Sequence, residues 1–136
     1  MPETKSDIIA RLRKSIIPSQ TFKTLLNTSG IDAKLGPLKT AFHNNTFPLG
    51  VIHEFISESK NTASTCGFIA GLLSALMQSD GVTIWIGSSR KIFPPGLKLF
   101  GISPDKIIFI DLQKEKEILW AIEEALKYDG LSAVIG

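Results

Sequence analysis

Four short apolar runs, Val51 to Ile56, Val82 to Ile86, Ile107 to Ile110 and Leu131 to Ile135, constrain most tightly what this chain can fold into. Each is β-branched and nearly continuous rather than alternating, which is the pattern of a strand buried on both faces. A helical run from about Thr62 to Gln78 separates the first two. A second, from about Lys114 to Tyr128, separates the last two, with Ile118, Leu119, Ile122 and Leu126 at helical spacing. Strands that alternate with helices imply crossover βαβ units and a parallel sheet. Asp80-Gly81 and Asp129-Gly130 are expected to close the two helices, following the preference for glycine just after a helix. Phe93 to Gly101 reads as a helical turn begun by proline.

The chain ahead of these runs reads differently. Thr4-Lys-Ser-Asp7 has the spacing of a capping box and predicts a helix to about Ser15. Ile8, Ile9, Leu12 and Ile16 share one face of it, while Arg11, Arg13 and Lys14 lie mostly off that face and toward the end where the helix dipole favours cations. From Ile17 to Pro48 the period is broken by Pro18, Gly30, Gly36, Pro37, Asn44, Asn45 and Pro48, leaving one short helical turn near Leu38 to His43. The expected organisation is therefore a helix and linker over 1–46 and an α/β core over 47–136. The last residues, Ala133-Val-Ile-Gly136, stop inside the fourth run. An open parallel edge there needs cover, so we expect a fragment of a longer domain, or one completed by a partner or by a second copy through that edge.

Composition removes several functional classes. With 136 residues, 43% hydrophobic and 21% charged, the chain has the balance of one folded domain. A net charge of +2 gives no ground for a nucleic-acid or membrane partner. Cys66 is the only cysteine, so no internal disulfide forms, and His43 and His53 do not complete a zinc set. A reducing compartment follows. The N-terminus lacks the apolar run of a secretory signal, and the longest apolar stretch, Phe68 to Met77, is about half the roughly 20 residues of a bilayer span. A cytoplasmic protein is expected.

The segment between the first run and the helix sits where a phosphate-binding loop would. In Gly-x-x-x-x-Gly-Lys-[Ser/Thr], glycines let successive amides converge, lysine reaches the outer phosphates, and the hydroxyl binds magnesium. Here the loop is Ser57, Glu58, Ser59, Lys60, Asn61, Thr62, Ala63, Ser64 and Thr65. Ile56 and Asn61 stand near the glycine positions, no Gly-Lys pair exists, and Lys60 is the sole cation. ATP and magnesium are not expected to bind. The helix start at Thr62 to Thr65 offers at most a weak anion site, and hydroxyl capping is its plainer reading.

Other reactive residues lack partners. His53 and Glu54 alternate to opposite faces of a strand, His43 stands alone in the linker, and Cys66 in a first helical turn has no base placed beside it. Arg90 and Lys91 follow the second run, at the edge where parallel sheets hold ligands. With Lys60 they would make a modest basic cluster for a phosphate backbone or an acidic partner, although solvated loop charges explain them as well. Trp85 and Trp120 read as core, with Trp120 also suited to anchor an interface.

Several motifs together resemble one family. Pro48-Leu-Gly-Val-Ile-His-Glu-Phe55, Val82-Thr-Ile-Trp-Ile86, Phe93-Pro-Pro-Gly-Leu97 with Phe100-Gly-Ile-Ser-Pro-Asp-Lys106, and Leu119-Trp-Ala-Ile-Glu-Glu-Ala-Leu126 are similar to the ImuA family. These are RecA-like accessory proteins encoded with error-prone polymerases in damage-inducible operons. The resemblance implies a RecA-like, P-loop-type core, a three-layer αβα arrangement with a mainly parallel sheet of about four strands, incomplete at its C-terminus.

It also implies that the second strand should end in a water-activating glutamate, whereas Ile86-Gly-Ser-Ser-Arg-Lys91 holds no carboxylate. With loop lysine and carboxylate both missing, no ATPase activity is expected. The resemblance further implies contacts with an ImuB-type polymerase-like protein and with RecA, and weak or no direct DNA binding. A divergent nucleotide-binding ATPase of DNA repair and a cell-division inhibitor resembling SulA are the alternatives.

Overall fold

Residues 4–16, 35–42, 45–78, 80–89 and 92–136 are described by the computed structural model, and the side chains of 12–16 are not. The chain divides into two compact units, Met1–His53 and Glu54–Gly136.

In the first unit, helix α1 spans Lys5–Ile16. It starts as its capping sequence dictates. The Thr4 amide donates to Asp7 Oδ2 at 3.1 Å, and the Asp7 amide, which also donates to the Thr4 carbonyl at 3.0 Å, reaches Thr4 Oγ1 at 3.3 Å, the reciprocal pairing of a capping box. The Thr4 hydroxyl also donates to the same carboxylate, which lowers the Asp7 pKa from its ordinary value. A 3₁₀ turn over Gly36–Ala41 is primed by Pro37, whose fixed φ suits a first helical position. The expected turn at Leu38 to His43 thus ends at Ala41, and His43 lies outside the described residues.

Beyond this turn an aromatic cluster forms. Phe42 meets Phe47 edge-on at 5.3 Å, and Phe47, which is buried, stacks on His53 at 4.1 Å. His53 Nε2 lies 2.9 Å from the Pro48 carbonyl. A carbonyl only accepts, so Nε2 carries the hydrogen. His53 is therefore a packed residue of a loop and not of a strand.

The second unit is a mixed α/β structure around a small parallel sheet. Its strands are β1 (Thr83–Gly87), β2 (Ile107–Asp111) and β3 (Ala133–Ile135), in the order β2-β1-β3. Register pairs Thr83 with Ile107 and with Ala133, and Gly87 with Asp111. Helix α2 (Thr62–Met77) precedes β1, and helix α3 (Glu115–Leu126) joins β2 to β3. The connection from β1 steps outward to β2, while α3 carries the chain back past β1 to β3. Two right-handed crossovers of opposite direction lie on opposite faces of the sheet. Accordingly Leu97 and Ile102 of the first connection cluster with Ala70, Leu73 and Met77 of α2 and with Ile107, whereas α3 packs on β1 and β3.

Among the described residues the sheet holds three strands and not about four. Residues 51–56, the first apolar run, carry no sheet ladder. Ile52 is 90% exposed and Ile56 86%. A β-branched run becomes a strand only where a neighbouring edge accepts its backbone, and here His53 is drawn back onto Phe47 and Pro48.

The helix ends also differ in mechanism from the expectation. Neither Gly81 nor Gly130 has a positive φ; the positive φ after α2 is at Gln78, with φ 43° and ψ −134°. Gly81 is needed for space. A Cβ there would strike Ser132 Oγ and lie 2.6 Å from both Cα and the carbonyl oxygen of Met77, while its amide donates to that carbonyl at 2.7 Å. Gly101 does fill the left-handed role, at φ 76° after the 3₁₀ helix Pro94–Phe100. Among the described residues no helix is long and apolar enough to cross a membrane.

Candidate functional site

Ligands of parallel sheets bind outside the carboxyl ends of the strands, where successive crossovers diverge. In this unit that point is the end of β1, between β2 and β3. Met77, at the C-terminus of α2, is tied to Gly81 just ahead of β1, so α2 runs against the strands and its N-terminus faces the carboxyl edge. The loop Ser57–Thr65 is thereby carried to the place a phosphate loop would take.

Part of its backbone is spent internally. Ser59–Asn61 is wound as a 3₁₀ turn, with the Asn61 amide donating to the Glu58 carbonyl at 2.8 Å and the Thr62 amide to the Ser59 carbonyl. In a phosphate nest consecutive amides converge on an anion; here these two point to the chain itself.

Two of the hydroxyls follow the same course. Thr62 Oγ1 donates to the Ser59 carbonyl at 2.9 Å, and Thr65 Oγ1 to the Asn61 carbonyl at 3.3 Å. Asn61, the residue before α2, makes no side-chain cap. Lys60 pairs with Glu58 at 2.8 Å, both exposed. A pair so hydrated contributes little stability, but it sets a carboxylate beside the only cation of the loop. Ser57, Ala63 and Ser64 are exposed on its surface.

The end of β1 offers hydroxyls where a carboxylate would act. Ser88 and Ser89 are exposed, and Gln113 Nε2 reaches the Ser88 carbonyl at 3.5 Å. Arg90 and Lys91 lie outside the described residues, so of the expected basic cluster only Lys60 has a described position. Trp120 is on the outer side of α3 and 63% exposed.

Sequence reasoning passed over Asp111, which ends β2 in register with Gly87 and is exposed at the carboxyl edge. Its signal was the polar residue that stops the apolar run Ile107 to Ile110. No group of three or more His, Cys, Asp or Glu side chains among the described residues is placed to hold a metal.

A hollow of about 200 Å³ lies at the end of α2 opposite the loop, lined by Ser74, Met77, Gln78, Ser103 and Lys106 among others.

Over 98 residues the chain is 28% identical to Protein ImuA of Caulobacter vibrioides, in strain NA1000 / CB15N and equally in strain ATCC 19089 / CIP 103742 / CB 15. The chain is distantly similar to ImuA. The match takes in 69% of this chain, and the chain spans 40% of the length of these curated relatives. No family model and no solved structure matches. The ImuA likeness accordingly concerns part of a longer relative.

Proposed function

We propose that this chain is a non-catalytic, RecA-like accessory component of the DNA damage response and error-prone translesion synthesis, acting through protein contacts. The observation that carries the reading is the Ser57–Thr65 loop, in which the Asn61 and Thr62 amides and the Thr62 and Thr65 hydroxyls bond to the loop's own carbonyls and the one lysine is paired with Glu58. The similarity to ImuA supports the pathway.

Triphosphate binding depends on a concentration of fixed positive charge and donors around the outer phosphates, and hydrolysis on a carboxylate that orients water. Here the loop's one lysine is paired with Glu58, and Ser88 and Ser89 stand at the end of β1 where the water-orienting carboxylate would act. An arrangement without ligand chemistry retains its surfaces, and we assign the function to them. The contacts fall to an ImuB-type polymerase-like protein and to RecA, with no membrane role, no cofactor and weak or no direct contact with DNA. The organisation we assign is a helix and linker over 1–46 and a core over 47–136, cytoplasmic in the cell.

Titration of the protein with a fluorescent ATP analogue and magnesium tests the reading. No saturable binding is expected up to about 1 mM, an affinity weaker than about −4 kcal/mol. A micromolar dissociation constant would replace this reading with that of a divergent ATPase.

A further inference from the structure

We propose that α3 is the two-fold interface of a homodimer, in which it pairs antiparallel with α3 of a second copy. This inference rests on the outer face of the helix and not on the assignment to translesion synthesis.

The inner side of α3 is occupied: Ile118, Ala121, Ile122 and Ala125 are half-buried toward the sheet. On the outer side the charges Lys116, Glu117, Glu123 and Glu124 are interrupted by exposed Leu119, Trp120 and Leu126, which a purely solvated helix face would not carry. Lys116, Leu119, Trp120 and Glu123 follow one another at i, i+3, i+4 and i+7, which places them in one stripe. Leu119 is 60% exposed and Trp120 63%. An exposed tryptophan next to an exposed leucine, bounded by charges, has the composition of an interface centre with a polar rim.

The charges identify the occupant. Most charges near the ends of the helix are settled within it: Lys114 pairs with Glu117 at 3.1 Å, and Lys127 with Glu124 at 2.5 Å, a bond that raises the Lys127 pKa from its ordinary value. Lys116 makes no ion pair among the described residues. Glu123 has only the longer contact of 3.6 Å with Lys127.

Lys116 and Glu123 lie about two turns apart on the stripe, with opposite sign. When the helix is turned end for end against itself, Lys116 faces Glu123 of the second copy, and the same pairing recurs on the other side of the two-fold axis. That register also sets Leu119 against Trp120, twice, at the axis. Parallel pairing would oppose like charges at both positions, which is disfavoured. The stripe is thus complementary to its own reverse, and the partner it fits is this chain.

Sedimentation equilibrium over about 1–500 μM, a range that reports dissociation constants in the micromolar class, is the test. A concentration-dependent dimer is expected. Trp120→Ala should weaken it about thirtyfold or more, as loss of a central anchor does. Lys116→Glu and Glu123→Lys should each weaken it about tenfold or more by opposing like charges, and the double exchange should restore it.

These positions are exposed, and circular dichroism checks that each variant is folded. A monomer throughout the range would overturn the proposal, as would a dimer indifferent to Trp120→Ala or single exchanges that the double exchange does not rescue.

Discussion

Leu73→Ala is expected to destabilise the second unit by about 3–5 kcal/mol, measured as a loss of unfolding free energy in urea. Leu73 is 2% exposed and belongs to the cluster in which α2 meets Leu97, Ile102 and Ile107. Truncation removes the transfer free energy of three carbons and leaves a cavity between a helix, a 3₁₀ segment and a strand. The neighbours cannot close this cavity, because they are fixed at both ends by ladder and helix bonds. A unit of this size has a total stability of about 4–12 kcal/mol, so the variant should lie near its unfolding threshold. A loss below about 1 kcal/mol would mean that this cluster is not the core.

Gly81→Ala is expected to be nearly as damaging, at about 3 kcal/mol, although it adds a single methyl group. The added carbon would meet Met77 Cα and the Met77 carbonyl at 2.6 Å, and Ser132 Oγ as well. Two of these atoms are backbone. The turn from α2 into β1 would have to open, with loss of the 2.7 Å bond from the Gly81 amide. Gly71→Ala in the middle of α2 serves as the control, since nothing lies within 4 Å of a Cβ there. It should stabilise by about 0.5–1 kcal/mol through helix propensity. Equal effects from the two substitutions in thermal unfolding would show that Gly81 is not held by close approach.

These two positions also show what a sequence can reveal. The three runs that became strands were readable because each is β-branched, bounded by turn residues and long enough to cross the sheet. The Thr4–Asp7 box was readable because both partners are local. Where local preference and distant partner both matter, the sequence misleads. Val51 to Ile56 has a strand's composition, yet whether it joins a sheet depends on an edge elsewhere. Gly81 reads in the sequence as the glycine that closes the helix, but its φ is not positive, and the space it leaves is needed by the Met77 backbone and by Ser132, fifty-one positions away in the chain.

The candidate site divides in the same way. That the loop lacks a Gly-Lys pair is visible in the residues themselves. That its amides close a 3₁₀ turn, and that Glu58 reaches Lys60, are facts of backbone conformation that no residue type announces. Trp120 was readable as either core or anchor because its helical position lies between the inner and outer stripes. Only the packing of Ile118 and Ile122 toward the sheet decides that it faces outward.

The central claim is that this chain serves damage-induced mutagenesis by contact, without a nucleotide. Damage-induced mutation frequency in a host deleted for the encoding gene, complemented by the wild-type chain or by its Lys60→Ala variant, tests it most directly. The deletion should bring the induced frequency down to the uninduced background, and both copies should restore it equally. An induced frequency unaffected by the deletion, or a folded Lys60→Ala variant that fails to restore it, would contradict the account.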